Sequence, residues 1–255
     1  PAYGTIIDTP YGRIDRRLNA GEPGVDELKR TQASAGWLLS HKFNQDWKFT
    51  QNYKYTNLDL NQTNTFAYGS DGDRELLRGY SYTDGKSKSH YLDNRISGRW
   101  RLSDKVQLLP ILGVDYLKSD TDGLNNGFGM APNLDMFNPQ YGKPFDVTGT
   151  PYGLHSKQWG AYASTQLRLG DHWNFNAGIR HDRAKNRGFA NGGGSRYEGG
   201  KNRLNAGAMY ITDFGVAPYI SYSESFKPIA GVDGYGTAYR PYEGKQSEVG
   251  VKFEP

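Results

Sequence analysis

Apolar and polar residues alternate with period two, in segments of about ten residues closed by turn signals, and this predicts β-strands along the whole chain. From Ala33 to Phe43, the residues Ala33, Ala35, Trp37, Leu39, His41 and Phe43 share one parity, and Ser34, Gly36, Leu38, Ser40 and Lys42 the other. Asn44-Gln45-Asp46 turns the chain, which returns with Trp47, Phe49, Tyr53 and Tyr55 against Lys48, Thr50, Asn52, Lys54 and Thr56. The same hairpin recurs about Ser103-Asp104-Lys105, about Gly170-Asp171-His172 and about Thr212-Asp213-Phe214-Gly215. A further strand is predicted from about Lys245 to Glu254.

The connections alternate in length. Tight turns near 45, 104, 171 and 214 alternate with long polar connections over 60–86, 119–155, 185–200 and 227–243, and residues 1–28 read as the end of another. Transmembrane barrels have this asymmetry, with short periplasmic turns and longer extracellular loops. Trp47 and Trp173 follow two of the short turns, where a periplasmic aromatic girdle belongs. The competing fold is a soluble sandwich or propeller, but several apolar faces here are rich in Ala and Tyr and would fill a core badly. The expected fold is therefore all-β: an antiparallel transmembrane barrel segment of about nine strands.

Composition agrees. The hydrophobic fraction is only 36% while aromatics reach 14%, which argues against disorder and for a thin apolar band edged by aromatic belts. The absence of cysteine excludes disulfides and thiolate chemistry. The net charge of +4 is spread among interleaved acids and bases, so no nucleic-acid partner is expected. No apolar run approaches the roughly 18 residues of a transmembrane helix; Leu108–Val114 comes nearest, and Pro110 interrupts it. Pro1 opens directly into polar sequence without a signal peptide, so an exported parent is expected to have an N-terminal part outside this sequence.

Catalytic and metal readings fail. Gly85-Lys86-Ser87 resembles the end of a phosphate loop, but Tyr80 stands where its leading glycine belongs. Asp71-Gly72-Asp73 lacks the glycine and glutamate of a calcium loop, those places holding Leu76 and Tyr82. The histidines at 41, 90, 155, 172 and 181 form no pair at metal-ligand spacing, and no serine-hydrolase motif is present. No catalytic residue, resident metal or cofactor is expected. The candidates that remain lie in the long connections: Tyr68, Tyr80, Tyr82, Phe128, Tyr141, Tyr235, Tyr239 and Arg240, whose rigid rings and polar tips suit recognition of a ligand. Parity places Arg95, Arg99, Arg180 and Lys252 on the wet, lumen-facing side, where cations attract an anion.

Particular segments resemble a known family. Ala217-Pro218-Tyr219-Ile220-Ser221-Tyr222-Ser223-Glu224-Ser225-Phe226-Lys227-Pro228 is very similar to a stretch of TonB-dependent siderophore receptors of the ferrichrome-receptor type. The run from Pro241-Tyr242-Glu243-Gly244-Lys245 to Glu254-Pro255 matches that family too. Weaker matches in the same order include Gly113-Val114-Asp115-Tyr116, Phe137-Asn138-Pro139-Gln140-Tyr141-Gly142 and Gly178-Ile179-Arg180-His181-Asp182. Asp15 and His181 depart from the family's usual proline and tyrosine.

The resemblance implies that residues 1–255 are part of a barrel of about 22 strands, with the plug domain and the TonB-contacting segment absent. It implies uptake of a ferric siderophore, iron being carried as the chelate, across the outer membrane of a Gram-negative bacterium. Energy passes through TonB by the missing N-terminal region, and the outer surface meets membrane lipid and lipopolysaccharide. The alternatives are another outer-membrane barrel, either a diffusion porin or a barrel hydrolase, and a soluble β-rich binding protein.

Overall fold

The computed structural model describes residues 6–190, 192–229 and 239–253. Every regular element among them is a strand: β1 (Glu27–Lys42), β2 (Trp47–Asp71), β3 (Glu75–Gly98), β4 (Trp100–Ser103), β5 (Val106–Asp135), β6 (Thr150–Leu169), β7 (Trp173–Ala190), β8 (Gly193–Tyr210), β9 (Val216–Lys227) and β10 (Tyr242–Phe253). They form one antiparallel sheet in the order β1-β2-β3-β5-β6-β7-β8-β9-β10, with β4 beside β5. The strand expected to reach Glu254 is β10; Glu254 itself lies outside the described residues.

The tenth element has a chemical cause. One continuous strand is expected from Leu92 to Leu102, but pairing with β5 lapses between Ser97↔Ile111 and Trp100↔Leu108. In that gap Gly98 falls opposite Pro110, which has no N–H to give to a ladder, and Arg99 opposite Leu109. The Arg99 amide donates instead to the Asp46 carbonyl at 2.9 Å.

The four short turns stand as expected, but the connections over 60–86, 119–155 and 185–200 are mostly strand, while most of the 227–243 connection lies outside the described residues. β2, β3 and β5 contain 25, 24 and 30 residues, whereas a tilted crossing of a bilayer needs roughly 9–11. The hairpin expected to open at residue 60 closes only at Gly72-Asp73-Arg74, and the connection over 119–155 shrinks to residues 136–149. Ladder hydrogen bonds join backbones whatever the side chains, so a polar sequence with no apolar face continues the sheet when its partner strand does likewise. Hydrophobic alternation marks only the part that meets an apolar medium.

Register fixes the faces. Phe49, Ile96, Leu112, Ala163, Ile179 and Leu204 are cross-strand partners on one rung, and all belong to the apolar face. Thr50, Arg95, Gly113, Tyr162, Arg180 and Arg203 make the adjacent rung on the polar face. Burial is reversed relative to a soluble protein. On the polar face Thr50, Asp93, Asp182 and Asn186 are buried, Asp182 completely at 0% exposure, while on the apolar face Leu112, Ile179, Ile220 and Val251 are exposed and Val249 reaches 80%. A sandwich or propeller would bury the second set.

Candidate functional site

The two faces and two ends of the sheet divide the predicted residues. On the polar face, beyond the apolar band, Phe66 and Gly79 are direct partners, with Met130 beside Gly79 on β5. β5 bulges between Asn126 and Gly129, and this aims Phe128 across the neighbouring strands. Its ring lies 6.0 Å from that of Phe66 and 5.1 Å from that of Tyr68, edge-on to both. The Tyr68 hydroxyl meets the Met130 Sδ at 3.8 Å. Gly79 makes room, since a Cβ there would come within 2.8 Å of the Phe128 ring. Tyr68, Phe128 and Met130 are all exposed, so this is an open aromatic platform. Of the predicted residues, Tyr68 and Phe128 meet here.

Tyr80 and Tyr82 share the strand but not the face; both have the parity of Leu92 and Ile96. Tyr80 is buried. Its hydroxyl accepts from the Thr148 amide at 3.1 Å and the Asn126 side-chain amide at 3.3 Å, and Gly129 leaves the space its ring fills. Tyr82 packs over Gly149. Both rings therefore anchor the 142–149 connection to the sheet. Tyr141 is partly exposed and donates to the Asn19 carbonyl at 2.8 Å. Tyr239 and Arg240 are exposed beyond β9, and Tyr235 lies outside the described residues.

Closer to the short turns, the polar face carries an ionic ladder. Asp93, Asp115, Gly160 and Asp182 occupy one rung, next to the rung of Arg95, Tyr162, Arg180 and Arg203. Arg180 lies across Gly160, a residue with no side chain to block it. Its guanidinium engages Asp115 with both Nη atoms and donates from Nε to Asp182 at 2.9 Å. Arg203 also pairs with Asp182, and Gln158 donates to it at 3.0 Å. The Tyr162 hydroxyl donates to Asp93 at 2.7 Å. Three carboxylates on one rung would repel each other; the arginine rung offsets them. Of the predicted basic residues, Arg180 is thus neutralised, whereas Arg95, Arg99 and Lys252 make no ion pair among the described residues; the Lys252 ammonium lies 5.5 Å over the Tyr219 ring.

The apolar face changes character at one level. The rung Leu92, Tyr116, Trp159 and Arg183 is followed by His90, Lys118, Lys157 and Lys185, then by Lys88, Asp120, His155 and Arg187. An aromatic edge thus gives way to a cationic belt. Arg196 and then Lys185 hold the Glu198 carboxyl at about 2, so it stays ionised within the belt. Sequence reasoning missed Phe66, the Asp115–Arg180–Asp182–Arg203 ladder and this belt. The alternation continuing through Thr65, Phe66, Ala67 and Tyr68 was the available signal for the first.

Comparison with known proteins agrees with this architecture. The family described as TonB dependent receptor-like, beta-barrel, matches residues 1–255. The ferrioxamine B receptor of Salmonella typhimurium is 32% identical over 260 residues, covering 100% of this chain and 36% of that receptor. The ferrichrome outer membrane transporter/phage receptor of Escherichia coli K12 is 27% identical over 286 residues, covering 100% and 38%. Among solved structures, the closed form of the ferric-catecholate import receptor Fiu from E. coli K12 superimposes with a TM-score of 0.79 at 16% identity, over 96% of this chain and 41% of that one. The chain spans a little over a third of the length of the curated relatives it matches.

Proposed function

This chain belongs to the TonB-dependent receptor-like β-barrel family, and from that premise we propose that it forms part of an outer-membrane receptor importing a ferric siderophore, energised through TonB. Barrels of this family sit in the outer membrane of Gram-negative bacteria. The observation that carries the reading is the reversed burial, with Asp182 enclosed on one face and Val249 bare on the other. Such a sheet is stable only with hydrocarbon against its apolar side and an enclosed polar space on the other.

The curated relatives named above are receptors for ferrioxamine B and ferrichrome, both of them iron chelates. The platform of Phe66, Tyr68, Phe128 and Met130 would meet such a chelate outside the membrane, on the side leading into the lumen. Iron is cargo in this reading, and the protein supplies contacts, not bond-making chemistry. The cationic belt at Lys88, Lys118, Lys157 and Lys185 fits the phosphates of outer-leaflet lipopolysaccharide, which would cover that face.

The test is uptake of radioactive iron as a panel of ferric siderophores, in cells expressing the full-length receptor with and without TonB. The reading predicts saturable uptake of at least one chelate that stops when TonB is removed. Uptake that rises linearly with concentration and ignores TonB would mean a diffusion pore instead.

A further inference from the structure

The bulge in β5 that aims Phe128 also sets apart the dipeptide Asn126-Gly127. Tyr80 pairs with Gly129 and Tyr82 with Asn126, so Ser81 alone faces both Gly127 and Phe128. On the other side the ladder with β6 ends at Asn125↔Thr150. Gly127 therefore has no cross-strand partner in either ladder, and it is exposed. Neither space nor backbone demands glycine here. A Cβ would meet nothing within 4 Å, and the φ of Gly127 lies outside the left-handed region.

The Asn126 side chain is folded back along this backbone. Its Oδ1 accepts the Phe128 amide at 3.1 Å, and its Nδ2 donates to the Tyr80 hydroxyl at 3.3 Å. A side chain bonded to the amide two residues on lies beside the amide between them, so the Asn126 Cγ is brought to the Gly127 nitrogen. The Phe128 N–H meets the oxygen on which negative charge gathers when a nucleophile adds to Cγ, the role of an oxyanion-hole donor. Glycine leaves the approach unobstructed. Asn126 shares the face of Tyr80 and Tyr82, away from the lumen, so nothing that fills the lumen covers it.

We infer that Asn126 is a self-modifying site, which loses its side-chain amide to the Gly127 nitrogen and thereby alters the presentation of Phe128. The Gly127 nitrogen bonds to Cγ while the Cγ–Nδ2 bond breaks. The proton of that nitrogen leaves with the amine as ammonia, and a cyclic imide remains. Water then opens the imide. Cleavage between the nitrogen and Cγ leaves an aspartate at position 126; cleavage of the original peptide bond leaves an isoaspartyl link, whose chain runs one carbon longer through the side chain. Both products lose the donor to Tyr80, and the isoaspartyl link also lengthens the bulge that presents Phe128. Asn125 is the internal control. It pairs with Thr83 and Thr150, and the amide after it belongs to a residue that has a side chain and a ladder partner of its own.

The experiment keeps purified full-length receptor in detergent at slightly alkaline pH and samples it by digestion and mass spectrometry, with aspartyl and isoaspartyl peptides separated by chromatography. Position 126 should gain about 1 Da, mostly as isoaspartate, while Asn125 stays intact. The folded receptor should convert at least as fast as the same chain unfolded in urea, and Gly127→Ala should slow conversion about tenfold. Chelate-binding sites should disappear in proportion to the isoaspartyl fraction, and persist in Gly127→Ala over the same period. Slower conversion in the folded receptor than in urea would show that the two hydrogen bonds protect Asn126, and would overturn the inference. Conversion without loss of binding would overturn its link to Phe128. Fresh receptor that binds no chelate would overturn the receptor reading instead, because the mass change is read without any ligand.

Discussion

The Arg78 guanidinium donates to the Glu22 carboxylate at 2.8 Å where solvent reaches neither side chain. The same guanidinium donates to the Gly21 carbonyl at 2.9 Å and the Pro132 carbonyl at 2.8 Å. The other Glu22 oxygen accepts the Gly142 amide at 2.6 Å. One ion pair thereby joins residues 19–26, the far end of β3, the end of β5 and the 142–149 connection. The Asp26 carboxylate adds to it, accepting from the Glu22 amide at 2.9 Å and the Thr65 amide at 2.7 Å.

Removing one partner of a buried pair leaves an uncompensated charge, which costs roughly 3–5 kcal/mol. Arg78→Ala in the full-length receptor should therefore release residues 19–26 and 142–149, seen as new protease cleavage in those segments. The membrane-spanning strands should stay intact. Cleavage unchanged from the parent would show that the pair does not hold these segments.

The connection after β5 should depend on pH. The Asp135 carboxylate accepts from the Phe137 amide at 2.9 Å, from the Asn138 amide at 3.1 Å and from Arg74 at 2.8 Å. Chiefly the Phe137 amide, then Arg74, hold its pKa below the ordinary value. Because the folded pKa is depressed, its contribution is complete above the ordinary carboxylate value of about 4 and is lost as pH falls through the lowered one. Amide exchange at Phe137 and Asn138, corrected for its intrinsic rate, should be flat from neutral pH to about 5 and accelerate below that. Asp135→Asn should exchange fast throughout; a parent that shows no acid limb would contradict the assignment.

The aromatic platform separates residues that the sequence put together. Phe128→Ala should weaken chelate binding by about 1–2 kcal/mol, roughly tenfold, without affecting assembly. Tyr80→Phe, on the other face and under Thr148, should leave affinity alone. Equal losses from the two would place the ligand elsewhere than on Phe66, Tyr68 and Phe128.

On the apolar face, Leu112 lies on the Phe49–Ile96–Leu112–Ala163–Ile179 rung. Leu112→Arg should destabilise the inserted barrel by roughly 2–4 kcal/mol and reduce the fully assembled fraction resolved by gel mobility before heating. Lys252→Ala on the polar face should assemble normally. Matching yields for both would refute the face assignment.

The strands were legible where one side meets hydrocarbon. Trp159, Ala161, Ala163 and Leu167 alternate because lipid demands it, and the four tight turns announce themselves with Asn, Asp and Gly. Beyond the band nothing apolar is required, so the ladders over 57–71 and 75–88 left little period to read apart from Phe66 and Tyr68, though their backbones pair without interruption as far as Ala67. Pro110 was noticed as a break in an apolar run, yet its effect fell on the neighbouring strand. Parity put Arg180 on the polar face of the sheet but did not reveal its partners. Asp115 and Asp182 belong to other strands, or to a neighbouring rung, and only register brings all three side chains together. Tyr80 and Phe128 looked alike in sequence, and a one-residue bulge in β5 decides which of the two is presented.

The most direct test of the account is a spin-label scan of β7 from Trp173 to Asp182 in the full-length receptor, one cysteine at a time, reconstituted in bilayers. This stretch of the protein has no cysteine of its own to interfere. Phe175, Ala177 and Ile179 should be accessible to oxygen dissolved in the lipid, and Asn176, Gly178 and Arg180 should not, giving a period of two. Oxygen accessibility without that period, or highest at Asn176 and Arg180, would contradict it.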